Sequence, residues 1–369
     1  MGLTERLQRA WLSRGWLACG LLPVAACYGA LLLLRRNAYR LGWRRPVRLP
    51  VPVVVVGNLV VGGAGKTPTV IAVVHALQRQ GHVVGVVSRG YGRANSATLV
   101  VQPDTPVSDC GDEPLLLRLR TGVPVCVGRD RVAAGQALLQ RHPEIDVIVS
   151  DDGLQHWRLA RQAQILVFDE RGAGNGWLLP AGPLREPLPK ALPARSVVLY
   201  NAEAATTPLP GSLAQRGLRG VVDLAGWWAG QPASLSAMDG LRERPLLAAA
   251  GLARPQRFFD MLRLRGLAIE PLPLADHHDY TTLPWPADTA AVVVTEKDAV
   301  KLRPGRMGST RVWVAPLDFS LSAAVEAALA AWLPVDSGET HGNATARPAG
   351  VPDLQRPAGT SAPAVPRTP

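Results

Sequence analysis

Cysteine is scarce and unpatterned in this 369-residue chain. Cys19, Cys27, Cys110 and Cys126 form no C-x-x-C pair and stand near no histidine spacing that suits zinc. A disulfide framework and a zinc module are excluded, and free thiols in a reducing compartment are expected. Acidic residues are the minority, 29 against 40 lysines and arginines, for a formal charge of +11. Anionic partners are therefore expected. Many of the arginines lie in the first fifty residues, from Arg6 to Arg48. No internal repeat recurs, and the chain is long enough for two domains with a sizeable core, longer than a bare binding module needs.

Long apolar runs are also rare. Trp16–Leu34 has no charged residue and is bracketed by Arg14 and Arg35. Its nineteen residues just reach across a bilayer core of about 30 Å. A cleaved signal peptide would need a small-residue site, yet Leu31-Leu-Leu-Leu34-Arg35-Arg36 follows. A buried core helix is a second reading. A membrane-embedded or interfacial helix is preferred, with Trp16 and Tyr28 as interface anchors and arginines for acidic headgroups. Basic residues flank both ends, so the positive-inside rule leaves spanning or lying flat open.

The richest segment is Val53-Pro-Val-Val-Val-Val-Gly-Asn-Leu-Val-Val-Gly-Gly-Ala-Gly-Lys-Thr-Pro68. An apolar strand runs into a glycine-rich turn ending in Gly65-Lys66-Thr67, the layout of a phosphate-binding P-loop. Gly62, Gly63, Ala64 and Gly65 leave backbone N–H groups free to wrap phosphates, Lys66 reaches the β/γ-phosphates, and Thr67 offers a hydroxyl to Mg²⁺. Pro68 suits the first turn of the following helix, whose positive end lies beneath the nucleotide. The usual spacing puts glycine at position 60, where this chain has Val60.

Short Val/Ile/Leu runs then alternate with helical stretches: Val53–Val56, Val83–Ser88, Val123–Val127, Val147–Ser150, Ile165–Asp169 and Val197–Tyr200. The expected fold is α/β, a P-loop doubly wound, mainly parallel sheet over 39–240. Residues 1–38 form the membrane-associated helix with basic flanks. A smaller α/β domain follows over 241–335, beginning at Leu246-Leu-Ala-Ala-Ala250 and closing with a helix over Ser322–Leu333. From Asp336 to 369 the Pro/Ala-rich sequence reads as disordered.

The strand Asp146-Val-Ile-Val-Ser150 ends in Asp151-Asp152-Gly153-Leu-Gln155-His156. Ligands of open parallel sheets bind at the carboxyl ends of strands, so one of these aspartates can hold Mg²⁺ facing the P-loop. An Asp-Gly turn is the plainer alternative. Asp112 and His277 are candidates to accept a hydroxyl proton. An Asp-Glu pair before a helix is more often a cap, and adjacent histidines are more often surface residues. Ser88-Arg89-Gly90-Tyr91-Gly92-Arg93 and the Gly/Pro loop from Arg171 through Asn175 to Arg185 and Glu186 are candidate substrate contacts, or else solvated loops.

Taken together these segments resemble the tetraacyldisaccharide 4′-kinase family, from the N-terminal helix to about residue 333. The shared motifs run in order: Gly57-Asn58 with Gly62-Gly63-Ala64-Gly65-Lys66-Thr67-Pro68, Ser88-Arg89-Gly90-Tyr91-Gly92, Gly111-Asp112-Glu113-Pro114, Asp151-Asp152-Gly153-Leu154-Gln155-His156, Leu179-Pro180-Ala181-Gly182-Pro183-Leu184-Arg185-Glu186, Asp276-His277 and Thr295-Glu296-Lys297-Asp298-Ala299-Val300. The family typically lacks the first P-loop glycine, which accommodates Val60. The resemblance implies ATP- and Mg²⁺-dependent phosphorylation of the 4′-hydroxyl of a tetraacylated glucosamine disaccharide 1-phosphate, an anionic lipid, at the cytoplasmic face of the inner membrane. It implies Lys66 and Thr67 on phosphates and metal, Asp151, Asp152 and Gln155 around the metal, and Asp112 paired with His277 as proton acceptor.

Three rivals remain. Thr295-Glu-Lys297-Asp298 stands where a GTPase carries [NT]-K-x-D, with the lysine one place late. A membrane-tethered nucleotide sensor would bind without turnover. Nucleic-acid binding fits the charge but no recognition motif accompanies it, so no nucleic-acid or protein partner is expected.

Overall fold

Three helices precede the first strand: α1 (Leu3–Ala10), α2 (Trp16–Gly20) and α3 (Leu22–Arg40). The run expected as one helix over Trp16–Leu34 is thus divided at Leu21. Pro23 lies in the first turn of α3, where its missing N–H is harmless; inside one continuous helix it would remove a bond and clash with a preceding carbonyl. The apolar part of α3, Leu22 to Leu34, reaches about 20 Å at 1.5 Å per residue, short of a bilayer core of about 30 Å. Among the described residues no helix is long and apolar enough to cross a membrane. The computed structural model describes residues 3–93, 95–242 and 244–334; the tail expected over 336–369 lies outside them.

The N-terminal helices dock on the Arg171–Glu186 loop. Trp11 Nε1 donates to Pro180 O at 2.9 Å, Tyr28 Oη to Arg185 O at 2.8 Å and Arg35 Nη2 to Gln155 O at 2.9 Å. Ala18 and Ala25 are buried, whereas Trp16, Leu22, Val24, Leu31, Leu33 and Leu34 are exposed. The polar contacts face inward and an apolar face looks out.

The first sheet and its helices comprise β1 (Val53–Gly57), α4 (Lys66–Arg79), β2 (Val84–Ser88), β3 (Leu99–Val101), α5 (Val107–Cys110), α6 (Asp112–Thr121), β4 (Val125–Val127), α7 (Arg131–Arg141), β5 (Val147–Asp151), β6 (Ala163–Asp169), β7 (Ser196–Asn201) and β8 (Ser212–Leu213). The order is β3-β4-β2-β5-β1-β6-β7-β8, and every pairing is parallel except β3 with β4. Valines alternate between two cores: Val54 and Val56 pack with α4 and α6, Val53 and Val55 with Val132, Ala134 and Leu138 of α7. Because both faces are covered, the strands read as continuous apolar runs rather than alternating ones. Strand order reverses at β1, which lies between β5 and β6. At such a switch point the loops after β1 and β5 part and leave a crevice at their carboxyl ends.

The chain then forms β9 (Gln215–Leu218), β10 (Val222–Asp223), α8 (Leu224–Trp228), α9 (Leu235–Asp239), β11 (Leu246–Ala250), α10 (Pro255–Leu264), β12 (Ile269–Pro273), β13 (Ala291–Val294), α11 (Glu296–Ala299), β14 (Arg311–Val314), β15 (Leu317–Ser320) and α12 (Ala323–Trp332). A five-stranded sheet has the order β10-β14-β13-β11-β12, with β10 antiparallel at one edge. Sheet membership therefore changes before residue 240. β9 and β15 form a separate antiparallel pair. Helix α12 returns to α4: Arg79 pairs with Glu326 at 2.8 Å, and His82 Nε2 meets Leu333 O at 2.9 Å. Residues 3–334 thus fall within one compact unit.

Candidate active site

The loop after β1 is held open by its neighbours. Gly65 caps α4 at φ +86°, and a Cβ there would lie 2.2 Å from Asn201 Nδ2. No residue but glycine fits without displacing that amide, which donates to Ala64 O at 3.2 Å. Asn58, fully buried, donates to Gly62 O at 3.2 Å. Arg171, fixed on Asp169 through Nε, reaches Val61 O at 3.0 Å and Gly63 O at 3.2 Å. With these carbonyls occupied from outside, the loop is free to turn N–H groups toward a ligand. Lys66 Nζ lies 3.4 Å from Asn58 Oδ1 and 3.9 Å from Asp152 Oδ1.

Asp151 ends β5 in register with Val56, so the two aspartates sit beside the glycine-rich loop after β1. Asp151 Oδ2 accepts from Ser88 Oγ at 2.9 Å, while Oδ1 is buried without a partner. Burial, then the charges of Glu113 and Asp152, push its carboxyl up to about 7. Asp152, at φ +46°, binds Arg185 Nη1 through both oxygens at 3.0 and 3.1 Å. Burial opposes its ionisation, but Lys66 and Arg185 hold its carboxyl below the usual range. Gln155 Oε1 accepts from the same Arg185 nitrogen at 3.3 Å. Among the described residues no group of three or more His, Cys, Asp or Glu could hold a metal ion. A Mg²⁺ site does not require one, since it commonly takes one or two carboxylates plus substrate phosphates and water. The uncommitted Asp151 Oδ1, with the oxygens of Asp152, Thr67 and Gln155, is a donor set of that kind.

Asp112 starts α6, and His277 lies 165 residues later in the loop after β12. They meet at 2.9 Å, Asp112 Oδ2 to His277 Nδ1. Lys301 Nζ stands 3.3 Å from the same oxygen with its side chain 5% exposed, and Oδ1 accepts from the Glu113 N–H at 2.9 Å. Burial disfavours the Asp112 charge, yet the His277 hydrogen bond and the ammonium groups of Lys297 and Lys301 hold its carboxyl far below the usual range. An ionised carboxylate only accepts, so His277 Nδ1 is the donor, and in the neutral ring Nε2 carries the lone pair. The bond to Asp112 raises the His277 pKa above its ordinary 6.5, against burial and Lys297.

The expected substrate contacts divide. Arg89 and Tyr91 are exposed, and the Tyr91 ring lies 5.5 Å from that of His277. Arg185 is bound to Asp152, and Glu186 accepts from Trp157 Nε1 at 3.3 Å while burial lifts its carboxyl. Asn175 departs from expectation: it is 7% exposed and its amide donates to Ala10, Ser13 and Ala181 carbonyls. With no amide hydrogen to spare, it braces the N-terminal segment instead of facing a ligand.

A cavity of about 260 Å³ opens beyond Gly65, Lys66 and Thr67, with Glu113, Asp276 and Lys297 also in its wall. Sequence reasoning gave no role to Lys297, Lys301, Arg120 or Asn201, and it did not foresee that Asn58 and Arg171 brace the loop after β1. The signal for the first was the Thr295-Glu296-Lys297-Asp298 segment, a shared motif also weighed as a guanine reader, without a role for its lysine. Asp298 cannot serve that purpose, because its carboxylate accepts from Gly251 N at 3.1 Å and from Thr295 Oγ1 at 2.6 Å.

The family model described as Tetraacyldisaccharide-1-P 4′-kinase matches residues 17–334. The chain belongs to this family. It is an enzyme, a kinase of lipid A biosynthesis that phosphorylates the tetraacyldisaccharide. Tetraacyldisaccharide 4′-kinases of Methylibium petroleiphilum and Leptothrix cholodnii are 58% and 54% identical to it, over 88% and 90% of this chain and 92% and 97% of theirs. Among solved structures, the "apo" form of LpxK from Aquifex aeolicus in complex with ATP matches with a TM-score of 0.71 at 26% identity. That match covers 86% of this chain and 99% of the other.

Proposed function

We propose that this family kinase transfers the γ-phosphoryl of ATP to the 4′-hydroxyl of a tetraacylated glucosamine disaccharide 1-phosphate, with Mg²⁺, at the cytoplasmic face of the inner membrane. The observation that carries this is the shared cavity: the P-loop end lines it, and so do Glu113, Asp276 and Lys297, immediate neighbours of the Asp112–His277 pair. The ATP named with the Aquifex aeolicus structure supports the choice of donor.

Lys66 and the N-terminus of α4 neutralise the β/γ-phosphates, where positioning and electrostatics supply most of the catalysis. Thr67, Asp151, Asp152 and Gln155 would hold Mg²⁺, which when bound spreads the phosphate charge. Asp112 stays ionised, with its oxygens taken by Glu113 N–H, His277 and Lys301. It fixes the imidazole, and Nε2 of the partly exposed ring receives the 4′-hydroxyl proton. Tyr91, whose ring lies 5.5 Å from that of His277, and Arg89, Arg185 and Glu186 would contact the lipid's polar head. The outward apolar face of α3, with Arg35, Arg36 and Arg40 beyond it, holds the enzyme where its lipid lies.

Purified full-length protein incubated with ATP, Mg²⁺ and the monophosphorylated disaccharide lipid should yield lipid with one added phosphate by mass spectrometry. ATP hydrolysis with unmodified lipid would overturn the reading.

A further inference from the structure

The segment Thr295–Lys301 does work that the proposed mechanism leaves unused. Its backbone is pinned on three sides. Thr295 caps α11 through its side chain, accepting from Asp298 N. Asp298 holds Gly251 N at the end of β11 with both oxygens at 3.1 Å. Glu296, 6% exposed, pairs with Arg120 of α6 and accepts from Trp227 Nε1 at 3.0 Å. Between these anchors Lys297 projects into the cavity wall that also holds Gly65, Lys66 and Thr67. Its Nζ stands 3.0 Å from Asp276, 3.5 Å from Glu113 and 3.3 Å from His277 Nε2.

That last distance decides the matter. A hydroxyl giving its proton to Nε2 must come within about 3 Å of it, and its oxygen must lie roughly 3–3.5 Å from the phosphorus it attacks. A cation already beside Nε2, in the same wall as the P-loop, is then within reach of the oxygens of the transferring group. Burial opposes the Lys297 charge, but Glu113, Asp112 and Asp276 raise its pKa and keep it an ammonium. Resting on the reading above, we propose that Lys297 is a further catalytic residue: its ammonium binds the γ-phosphoryl as the acceptor oxygen attacks and holds that group against His277 Nε2. The oxygen–phosphorus bond to the acceptor forms as the bond to the ADP leaving oxygen breaks; the hydroxyl proton passes to Nε2, and Lys297 keeps its own protons throughout. Its role is charge stabilisation, the part a pinned, largely buried ammonium performs with little reorganisation.

The groups facing His277 are Asp112 and, through Lys297, Glu113 from α6; Asp276 and His278 from its own loop; Lys297 and Lys301 from α11 and the turn after it; and Tyr91 from the loop after β2. Lys297 is the cation closest to Nε2, so removing it should raise the pKa at that ring and move the acid limb of kcat/KM to higher pH.

The test uses full-chain enzyme with Lys297→Met and Lys297→Arg, binding Mg-ADP and a non-hydrolysable Mg-ATP analogue, together with kinetics on the lipid. For Lys297→Met we expect analogue affinity to fall by about tenfold, ADP affinity to stay within about twofold and kcat to fall by more than tenfold, a step of about 1.4 kcal/mol per decade. The acid limb should shift upward. Lys297→Arg, which keeps the charge between Asp276 and Glu113, should restore most analogue affinity and guards against misfolding. Equal losses for ADP and analogue, or unaltered kcat in Lys297→Met, would overturn this inference alone. A wild-type enzyme that phosphorylates no lipid would overturn the reading beneath it.

Discussion

At the scale of single residues, Lys66 carries the clearest expectation. Its ammonium lies between Asn58 and Asp152 at the start of α4, with the side chain 12% exposed. Lys66→Ala should leave the fold intact by circular dichroism and abolish turnover; activity within about threefold of wild type, well under one 1.4 kcal/mol step, would end the P-loop assignment. Asp112 and His277 should behave as one unit, so that Asp112→Asn with His277→Ala is scarcely slower than the worse single change, whereas independent roles would multiply. Their pH behaviour has two signs. As a base His277 must be neutral, so kcat/KM should fall as pH drops through a value above 6.5. For stability the direction reverses: a raised folded pKa contributes fully below the unfolded value near 6.5 and is lost as pH rises through the folded one. Melting curves of wild type and His277→Ala should therefore converge at alkaline pH.

At the scale of elements, α3 turns a familiar pattern inside out. Its docked stripe is small or polar, Ala25, Tyr28 and Gly29, while Leu31, Leu33 and Leu34 face away from the body. Deleting the whole segment would also remove the Trp11 and Tyr28 hydrogen bonds to the Pro180–Arg185 loop, confounding anchoring with folding. Changing Leu31, Leu33 and Leu34 together to Ser avoids that, since all three are exposed. The variant should keep its melting temperature and its KM for ATP, bind vesicles of acidic phospholipid more weakly and show a raised KM for the lipid substrate. Retention on vesicles in high salt with unchanged lipid KM would mean that α3 is not the anchor. The P-loop gives the second expectation at this scale: Gly65→Ala combines a left-handed φ with collision against Asn201, so it should cost about 1–3 kcal/mol and raise the KM for ATP. A crystal structure with Asn201 undisturbed would contradict it.

At the scale of the molecule, the proposed proton acceptor is assembled across two sheets. Asp112 belongs to a helix of the first, whereas His277, Lys297 and Lys301 come from loops and α11 around the second. Arg120, at the far end of the helix that Asp112 begins, pairs with Glu296 beside Lys297, so one ion pair fixes both elements at once. Glu296→Ala leaves Arg120 largely buried and unpaired, with Trp227 Nε1 lacking its acceptor. The loss should be about 3 kcal/mol in denaturant unfolding, with kcat falling alongside. A variant of full stability and reduced kcat would place Glu296 in the chemistry instead.

The local order of this protein is written in its residues. Valine runs specify strands covered on both faces, Gly62 through Thr67 specify the glycine-rich turn, and Asp151-Asp152 follow a strand whose carboxyl end must face it; each depends on neighbours in sequence. The strands expected over Val53–Val56, Val147–Ser150 and Ile165–Asp169 appear within one or two residues of those bounds. Edge strands such as β10 and β12 escaped notice because so few buried side chains mark them. Tertiary structure alone decided the rest. Asn175 became a brace because the carbonyls of Ala10 and Ser13 come to it from 165 and 162 residues away. The meeting of Asp112, His277, Lys297 and Lys301 requires the packing of two sheets, and hydrogen bonds across such separations leave no periodicity for a sequence to display.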